Sequence, residues 1–115
     1  MRVLLVEDEG AVAMLLEDML VELGHQVVAV AAKLETAEPL VARGGFDLAV
    51  LDVNLGGRYS YGLAETLMSR GTPFLFVTGY GAAGLGPRWK DAPVLQKPFE
   101  QRQLGEMIAR LTPPA

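Results

Sequence analysis

Short runs of consecutive apolar residues are the clearest pattern along the chain. They cover residues 3–6, 27–30, 48–51 and 74–77, and a weaker fifth run covers residues 94–95. Each of the first four has the length of a β-strand and is rich in Val, Leu or Phe. Because these runs do not alternate with polar residues, they predict strands buried on both faces, as in a parallel sheet.

Amphipathic segments separate the strands. The first and longest predicts a helix whose buried stripe is Val12, Leu15, Leu16, Met19, Leu20 and Leu23. A shorter predicted stripe consists of Leu63, Leu67 and Met68, and the last consists of Leu104, Met107, Ile108 and Leu111. The pattern therefore predicts helices between the strands and after the last one.

Proline and glycine weaken two of the helical segments. The predicted helix over 34–43 contains Pro39, so either Thr36 caps a late start with Pro39 in the first turn, or the helix kinks. Residues 79–87 hold four glycines and a proline, which predicts a short or mobile element there. The glycines also match the spacing of a dinucleotide-binding loop. We reject that interpretation because the loop follows the fourth strand and Gly86-Pro87 would break the helix it needs.

The alternation of strands and helices predicts an α/β fold with a doubly wound, five-stranded parallel sheet and right-handed crossovers. In such sheets the functional site lies at the carboxyl ends of the strands, beside the point where the strand order reverses. The residues that follow each strand are therefore the candidates for chemistry.

Composition narrows the function classes. The chain has 115 residues, which fits a single domain over 1–115 with no output domain. It has no cysteine, which excludes disulfides and thiolate chemistry and favours the cytoplasm. With 10 basic and 14 acidic residues and no basic stripe, nucleic-acid binding is not expected. The apolar start is too short for a signal peptide or a membrane span, so no membrane association is expected either.

Polar residues follow the predicted strands at the edge where a site is expected. They are Glu7, Asp8, Asp52, Thr78 and Lys97. Three converging carboxylates repel one another and require a cation, and an all-oxygen ligand set suits Mg²⁺. A carboxylate beside Mg²⁺ can act as a nucleophile and form an aspartyl phosphate. Lys97 would then neutralise one phosphoryl oxygen and the hydroxyl of Thr78 would donate a hydrogen bond to another.

Four motifs in register resemble those of response-regulator receiver domains. They are Val-Glu-Asp-Glu at 6–9, Leu-Asp-Val-Asn-Leu at 51–55, Val-Thr-Gly at 77–79 and Lys-Pro-Phe at 97–99. The resemblance covers essentially the whole chain. It implies a (βα)5 flavodoxin-like fold with strand order 2-1-3-4-5. It also implies a phosphoacceptor in two-component or phosphorelay signalling that catalyses only its own phosphorylation and dephosphorylation and is not otherwise an enzyme.

The resemblance also implies a role for each matching residue. Asp52 is the phosphoacceptor, and the partner that donates the phosphoryl group is a histidine kinase or a phosphotransfer protein. Mg²⁺ is bound directly by Asp8 and Asp52, through water by Glu7, and by the backbone carbonyl of Asn54. The residues that sense the phosphoryl group are Thr78 and Lys97.

A subgroup within the family also fits. Residues 52–61 and 73–81 are similar to the "FAT GUY" receivers, which are associated with HWE and related histidine kinases, although Val77 stands where that motif has Ala. Val94 replaces the usual aromatic switch residue, and Gly56 replaces the usual proline. We therefore hypothesise that residues 79–86 reorder on activation.

Other interpretations compete with a phosphoacceptor. An aspartyl-nucleophile phosphatase also uses an Asp at a strand end with Mg²⁺, but it needs a second Asp where this chain has Asn54. A receiver-like interaction domain without phosphorylation would not need an intact acidic cluster and Lys97. Tyr59, Tyr80 and Trp89 are expected near the predicted edge, partly exposed, with ordinary packing as the default and contact with a partner as the alternative. A downstream protein target is expected, but the sequence does not identify it.

Overall fold

A five-stranded parallel sheet lies at the centre of the molecule in the computed structural model, which describes residues 1–79 and 85–111. Its strands are β1 (Arg2–Val6), β2 (Gln26–Ala31), β3 (Leu48–Asp52), β6 (Phe74–Thr78) and β7 (Val94–Gln96). A separate two-stranded hairpin consists of β4 (Asn54–Leu55) and β5 (Arg58–Tyr59). The sheet order is β2-β1-β3-β6-β7. This confirms the predicted order 2-1-3-4-5, because the two hairpin strands lie outside the sheet.

Helices cover both faces of the sheet, as expected of a doubly wound fold. They are α1 (Gly10–Glu22), α2 (Leu34–Arg43), α3 (Tyr61–Ser69) and α4 (Gln101–Leu111). Helices α1 and α4 pack on one hydrophobic core, and α2 and α3 pack on the other. In the crossover from β6 to β7, the described residues include the 3₁₀ helix Pro87–Trp89. Tyr80 and most of the segment expected to reorder, residues 80–84, lie outside the described residues.

The three central strands are buried because they have strand neighbours on both sides and helices on both faces. The prediction of complete burial is wrong for β2, which lies at one edge of the sheet. Val28 and Val30 there are 39% and 43% exposed. Continuous apolarity indicates a strand in a parallel sheet but does not distinguish an edge position from a central one.

The predicted buried stripe of α1 is wrong at Leu15. Leu16 is fully buried, whereas Leu15 is 48% exposed. Successive residues in a helix lie about 100° apart, so the buried face is centred on Leu16 and Leu20 and turns Leu15 toward solvent. For the same reason Met68, predicted to be in the buried stripe of α3, is 44% exposed.

Helix α2 begins at Leu34, directly after Lys33, and not at Thr36. Pro39 is therefore inside the helix and not in its first turn, so the late-start alternative is wrong. None of the helices in the described parts of the chain is long and apolar enough to span a bilayer.

The β4–β5 hairpin was not predicted. Gly56 and Gly57 form its two-residue turn with φ angles of 61° and 93°. Two consecutive left-handed residues are the requirement of the tight turn that matches strand twist, and glycine meets it without a steric penalty. The Gly-Gly dipeptide between short segments was the available signal.

A matched pair of leucines tests the observed burial of α1. We expect Leu16→Ala to lower the free energy of unfolding by about 2–5 kcal/mol, because it opens a cavity in a fully buried site. Leu15→Ala removes the same atoms from an exposed position and should change it by less than about 0.5 kcal/mol. Urea unfolding with an unchanged m-value is the measurement. Equal losses in the two variants would contradict the assigned orientation of the helix.

Candidate functional site

The residues predicted to carry chemistry meet at the carboxyl edge of the sheet. Glu7 directly follows β1, Lys97 directly follows β7, and Asp52 and Thr78 are the last residues of β3 and β6. Strands β1 and β3 are adjacent although β2 lies between them in sequence, so the strand order reverses beside these residues. Because all the strands are parallel, their carboxyl ends bring the side chains together.

These side chains surround an open cavity of about 520 Å³. Its lining includes Asp8, Asp52, Asn54, Thr78 and Lys97. Glu7, Asp52 and Thr78 are buried below it or in its walls, whereas Asp8 is exposed at its rim. The cavity is large enough for a phosphoryl group and open enough for a donor to approach Asp52.

Three carboxylates cluster at the cavity. Glu7, Asp8 and Asp52 each offer one oxygen, and these oxygens lie within 4.8 Å of one another. The ammonium group of Lys97 lies 3.4 Å from Glu7 Oε1 and 3.8 Å from Asp52 Oδ2, and also 3.7 Å from Glu9 Oε1. One ammonium therefore faces more negative charge than it can neutralise.

The burial of this cluster changes its titration. Burial raises the pKa of Asp52 to about 8, with further contributions from the neighbouring Glu7 and Asp8 that the charge of Lys97 only partly offsets. Burial by itself lowers the pKa of Lys97, but the charges of Asp52, Glu7 and Glu9 more than reverse this, and the pKa is raised. Lys97 consequently stays protonated, while Asp52 needs a cation to be ionised at neutral pH.

The residues present fit a divalent cation. Glu7 Oε1 is buried and has no hydrogen-bond partner, although an ammonium lies beside it. A buried oxygen without a hydrogen bond, within a set of carboxylates, is the environment that a hard, oxygen-preferring ion such as Mg²⁺ stabilises. Asn54 lines the same cavity, and its side-chain Oδ1 accepts a hydrogen bond from Gly57 N at 2.7 Å. Its side chain is thus engaged in the hairpin turn.

Two features of the site escaped the sequence prediction. The N–H of Gly56 donates a hydrogen bond to Asp8 Oδ2 at 3.0 Å, so the hairpin turn holds a carboxylate of the cluster. Glu9 also lines the cavity, and it continues the acidic run after β1, which was a usable signal. Tyr59, expected near the site, lines the cavity as well.

The raised pKa of Asp52 predicts how stability depends on pH without metal. Between pH of about 4 and 8 the folded protein keeps a proton on Asp52 that the unfolded chain has released, so the free energy of unfolding falls as the pH rises. In EDTA at pH 8 we expect Asp52→Asn to be more stable than wild type by ~1–3 kcal/mol. Its stability should also vary less over this pH range.

Asp91→Asn is the matched control, because Asp91 is exposed. It should unfold like wild type across the same pH range. Chemical denaturation of the three proteins at several pH values gives the comparison. A wild type whose stability rises from pH 5 to 8 relative to Asp52→Asn would contradict the raised pKa.

Comparison with known proteins identifies the family. The family model described as "Response regulator receiver domain" matches residues 3–109. The response regulator protein FleR of Pseudomonas aeruginosa is 40% identical over 114 residues, which are 95% of this chain and 24% of FleR. The phyllosphere-induced regulator PhyR of Methylorubrum extorquens is 30% identical over 94% of this chain and 42% of PhyR. The chain thus spans less than half the length of these two relatives.

Solved structures agree with this match. The solution structure of SdrG from Sphingomonas melonis Fr1 has a TM-score of 0.86 and 42% identity, covering 96% of this chain and 94% of SdrG. The BeF3-activated conformation of SdrG has a TM-score of 0.81 with the same identity and coverage. The match in sequence, fold and site architecture leads to one conclusion: the chain belongs to the family of response-regulator receiver domains.

Proposed function

We propose that this receiver domain accepts a phosphoryl group on Asp52 and changes conformation in response. The single observation that carries the proposal is the position of the Asp52 carboxyl group, which lies buried beside Lys97 and two further carboxylates and opens into a cavity. Receiver domains are signalling domains that take phosphoryl groups from histidine kinases, so the family supports the same function.

The transfer balances with the groups in the cavity. A carboxylate oxygen of Asp52 attacks the phosphorus of a phosphohistidine, the P–N bond breaks, and the imidazole leaves with the bonding electron pair. Lys97 pairs with a phosphoryl oxygen, and the hydroxyl of Thr78, at the end of the adjacent strand β6, donates a hydrogen bond to another. Water later attacks the aspartyl phosphate and releases inorganic phosphate and the free carboxylate.

The acidic cluster would hold Mg²⁺. Asp8 and Asp52 would bind it directly, Glu7 through water, and Asn54 through its backbone carbonyl. When bound, Mg²⁺ neutralises the carboxylates and the oxygens of the transferred group. The buried oxygen of Glu7 that has no hydrogen bond supports this assignment.

For the partner, we propose a histidine kinase of the HWE or a related type, or a phosphotransfer protein, with the cytoplasm as the compartment. The downstream partner would be a protein target. The outer face of α1, which starts beside the cavity, carries exposed apolar residues suited to pack on a helical bundle. They are Met14, Leu15 and Val21, with exposures of 68%, 48% and 58%.

No observation favours a phosphatase. Such an enzyme needs an acid–base group two residues after the nucleophile, and the Asn54 side chain there cannot transfer protons and is bonded to the turn.

Intact mass after incubation with acetyl phosphate and Mg²⁺ tests the proposed chemistry. We expect wild type to gain one phosphoryl group, labile at high pH and dependent on Mg²⁺, and Asp52→Asn to gain none. The variant is a fair control because Asn preserves the shape of Asp. If acetyl phosphate fails as a donor, a phosphorylated HWE-type kinase is used instead. A wild type that accepts nothing from either donor would overturn the phosphoacceptor function.

A charged substitution on the outer face of α1 is the test of the proposed kinase contact. We expect Met14→Glu to slow transfer from the kinase about tenfold or more, because it places a charge in an apolar contact. Labelling by acetyl phosphate should stay within about twofold of wild type, since the cavity is unchanged. Val28→Glu, which changes another exposed apolar residue but on β2, is the control. Similar slowing by both variants would contradict docking through α1.

A further inference from the structure

A row of stacked aromatic rings begins at the cavity. Tyr59 lines the cavity and is 59% exposed. Its ring stacks on Tyr61 with centroids 5.2 Å apart and planes within 9°. Tyr61 in turn stacks on Trp89 with centroids 5.8 Å apart and planes within 18°. Centroid distances between 4.5 and 7 Å are those of favourable aromatic pairs. The row therefore runs from the cavity, through the first residue of α3, to the 3₁₀ helix.

The Trp89 end of the row is fixed. Trp89 is buried, and the guanidinium group of Arg88 lies over its ring at 4.8 Å. Arg88 Nε also pairs with Glu65 Oε1 of α3 at 3.1 Å. Phe76 of β6, two residues before Thr78, contacts both Tyr61 and Trp89 edge to face. Three elements thus hold this end in place. Trp89 is packed, as expected by default, and is not partly exposed.

The Tyr59 end of the row belongs to the hairpin. Tyr59 pairs through its backbone with Asn54 across the two strands. The turn between them donates the hydrogen bond from Gly56 to Asp8. The position of this hairpin therefore determines where both Asn54 and the turn lie relative to the acidic cluster.

A hairpin with two residues in each strand has little stability of its own. It depends on side-chain anchors. One anchor is the ion pair of Arg58 with Glu35, but both side chains are more than half exposed, and such pairs contribute little. Leu55 of β4 is a stronger anchor, because its side chain is buried in a hydrophobic core. The ring of Tyr59, stacked on Tyr61, anchors the other strand, β5.

We propose that Tyr59 is a positioning residue of the cation site, holding the hairpin against the acidic cluster through its stack on Tyr61 and Trp89. Cation binding at the cluster and the packing of Trp89 are then coupled in both directions, as linkage requires. This inference rests on the Mg²⁺ site of the proposed function. It also gives a connection from the site to the Pro87–Trp89 surface that does not need an aromatic side chain at Val94.

Mg²⁺ titration by calorimetry measures the effect of Tyr59 directly. We expect Tyr59→Ala to weaken Mg²⁺ binding about three- to tenfold, the range that follows from losing one stacked pair. Tyr59→Phe keeps the ring and should bind like wild type. Arg58→Ala, which removes the exposed anchor of the same hairpin, should change the affinity less than twofold. Because Tyr59 is exposed, its replacement leaves both hydrophobic cores intact.

The fluorescence of Trp89, the one tryptophan in the chain, reports the coupling from the other end. Saturating Mg²⁺ should shift its emission in wild type and in Tyr59→Phe. In Tyr59→Ala the shift should fall to a third or less, even at Mg²⁺ concentrations that saturate the variant. A role of Tyr59 confined to stability would not produce this pattern.

Three results would overturn the proposal, and only the third would also overturn the cation site. Equal Mg²⁺ affinity and equal fluorescence response in wild type and Tyr59→Ala would reject the positioning role and leave the cation site standing. Equal weakening in Tyr59→Phe and Tyr59→Ala would assign the effect to the hydroxyl and reject the stack. Absence of Mg²⁺ binding in wild type would reject the cation site itself, and with it this inference.

Discussion

Electrostatic repulsion among buried carboxylates is the constraint around which this structure is organised. Glu7 directly follows one buried strand and Asp52 ends another, and the ammonium group of Lys97 lies within 4 Å of both carboxylates. Charges removed from water interact strongly and cost free energy unless they are paired. The site therefore favours binding of a cation, and its interactions depend on the charge of Asp52. When no cation is bound, burial and the neighbouring carboxylates raise the pKa of Asp52.

The sheet tolerates these polar groups because its stability comes from other residues. Two hydrophobic cores, one on each face, hold the central strands in place over their whole length. The strands can therefore end in polar groups that would be unfavourable elsewhere, because the stability comes from the apolar residues before them. The strand order also reverses between β2 and β3, and the helices that leave β1 and β3 diverge to opposite faces, which leaves the cavity open above Asp52.

The β4–β5 hairpin connects the loop after β3 with the acidic cluster. Gly56 stands where a proline is usual, and its N–H is therefore available to donate to Asp8. A proline there would lack that donor. The hairpin also turns Tyr59 toward Tyr61, which links the loop after β3 to the segment after β6 through aromatic packing. A local change of turn type thus has consequences for both the acidic cluster and the protein surface.

The sequence by itself determined the strands of the central sheet, the helices and the edge where the polar residues meet, because apolar periodicity and strand–helix alternation are local properties of the chain. It also placed Glu7, Asp8, Asp52, Thr78 and Lys97 at that edge, since each one follows a strand. Only the tertiary structure decided which strand lies at the edge of the sheet and leaves Val28 and Val30 exposed. It alone turned Leu15 outward and Leu16 inward, and brought Tyr59, Tyr61 and Trp89 into one stack. The physical reason is that burial and stacking depend on which elements become neighbours in space, and residues far apart in sequence carry no local signal of that contact.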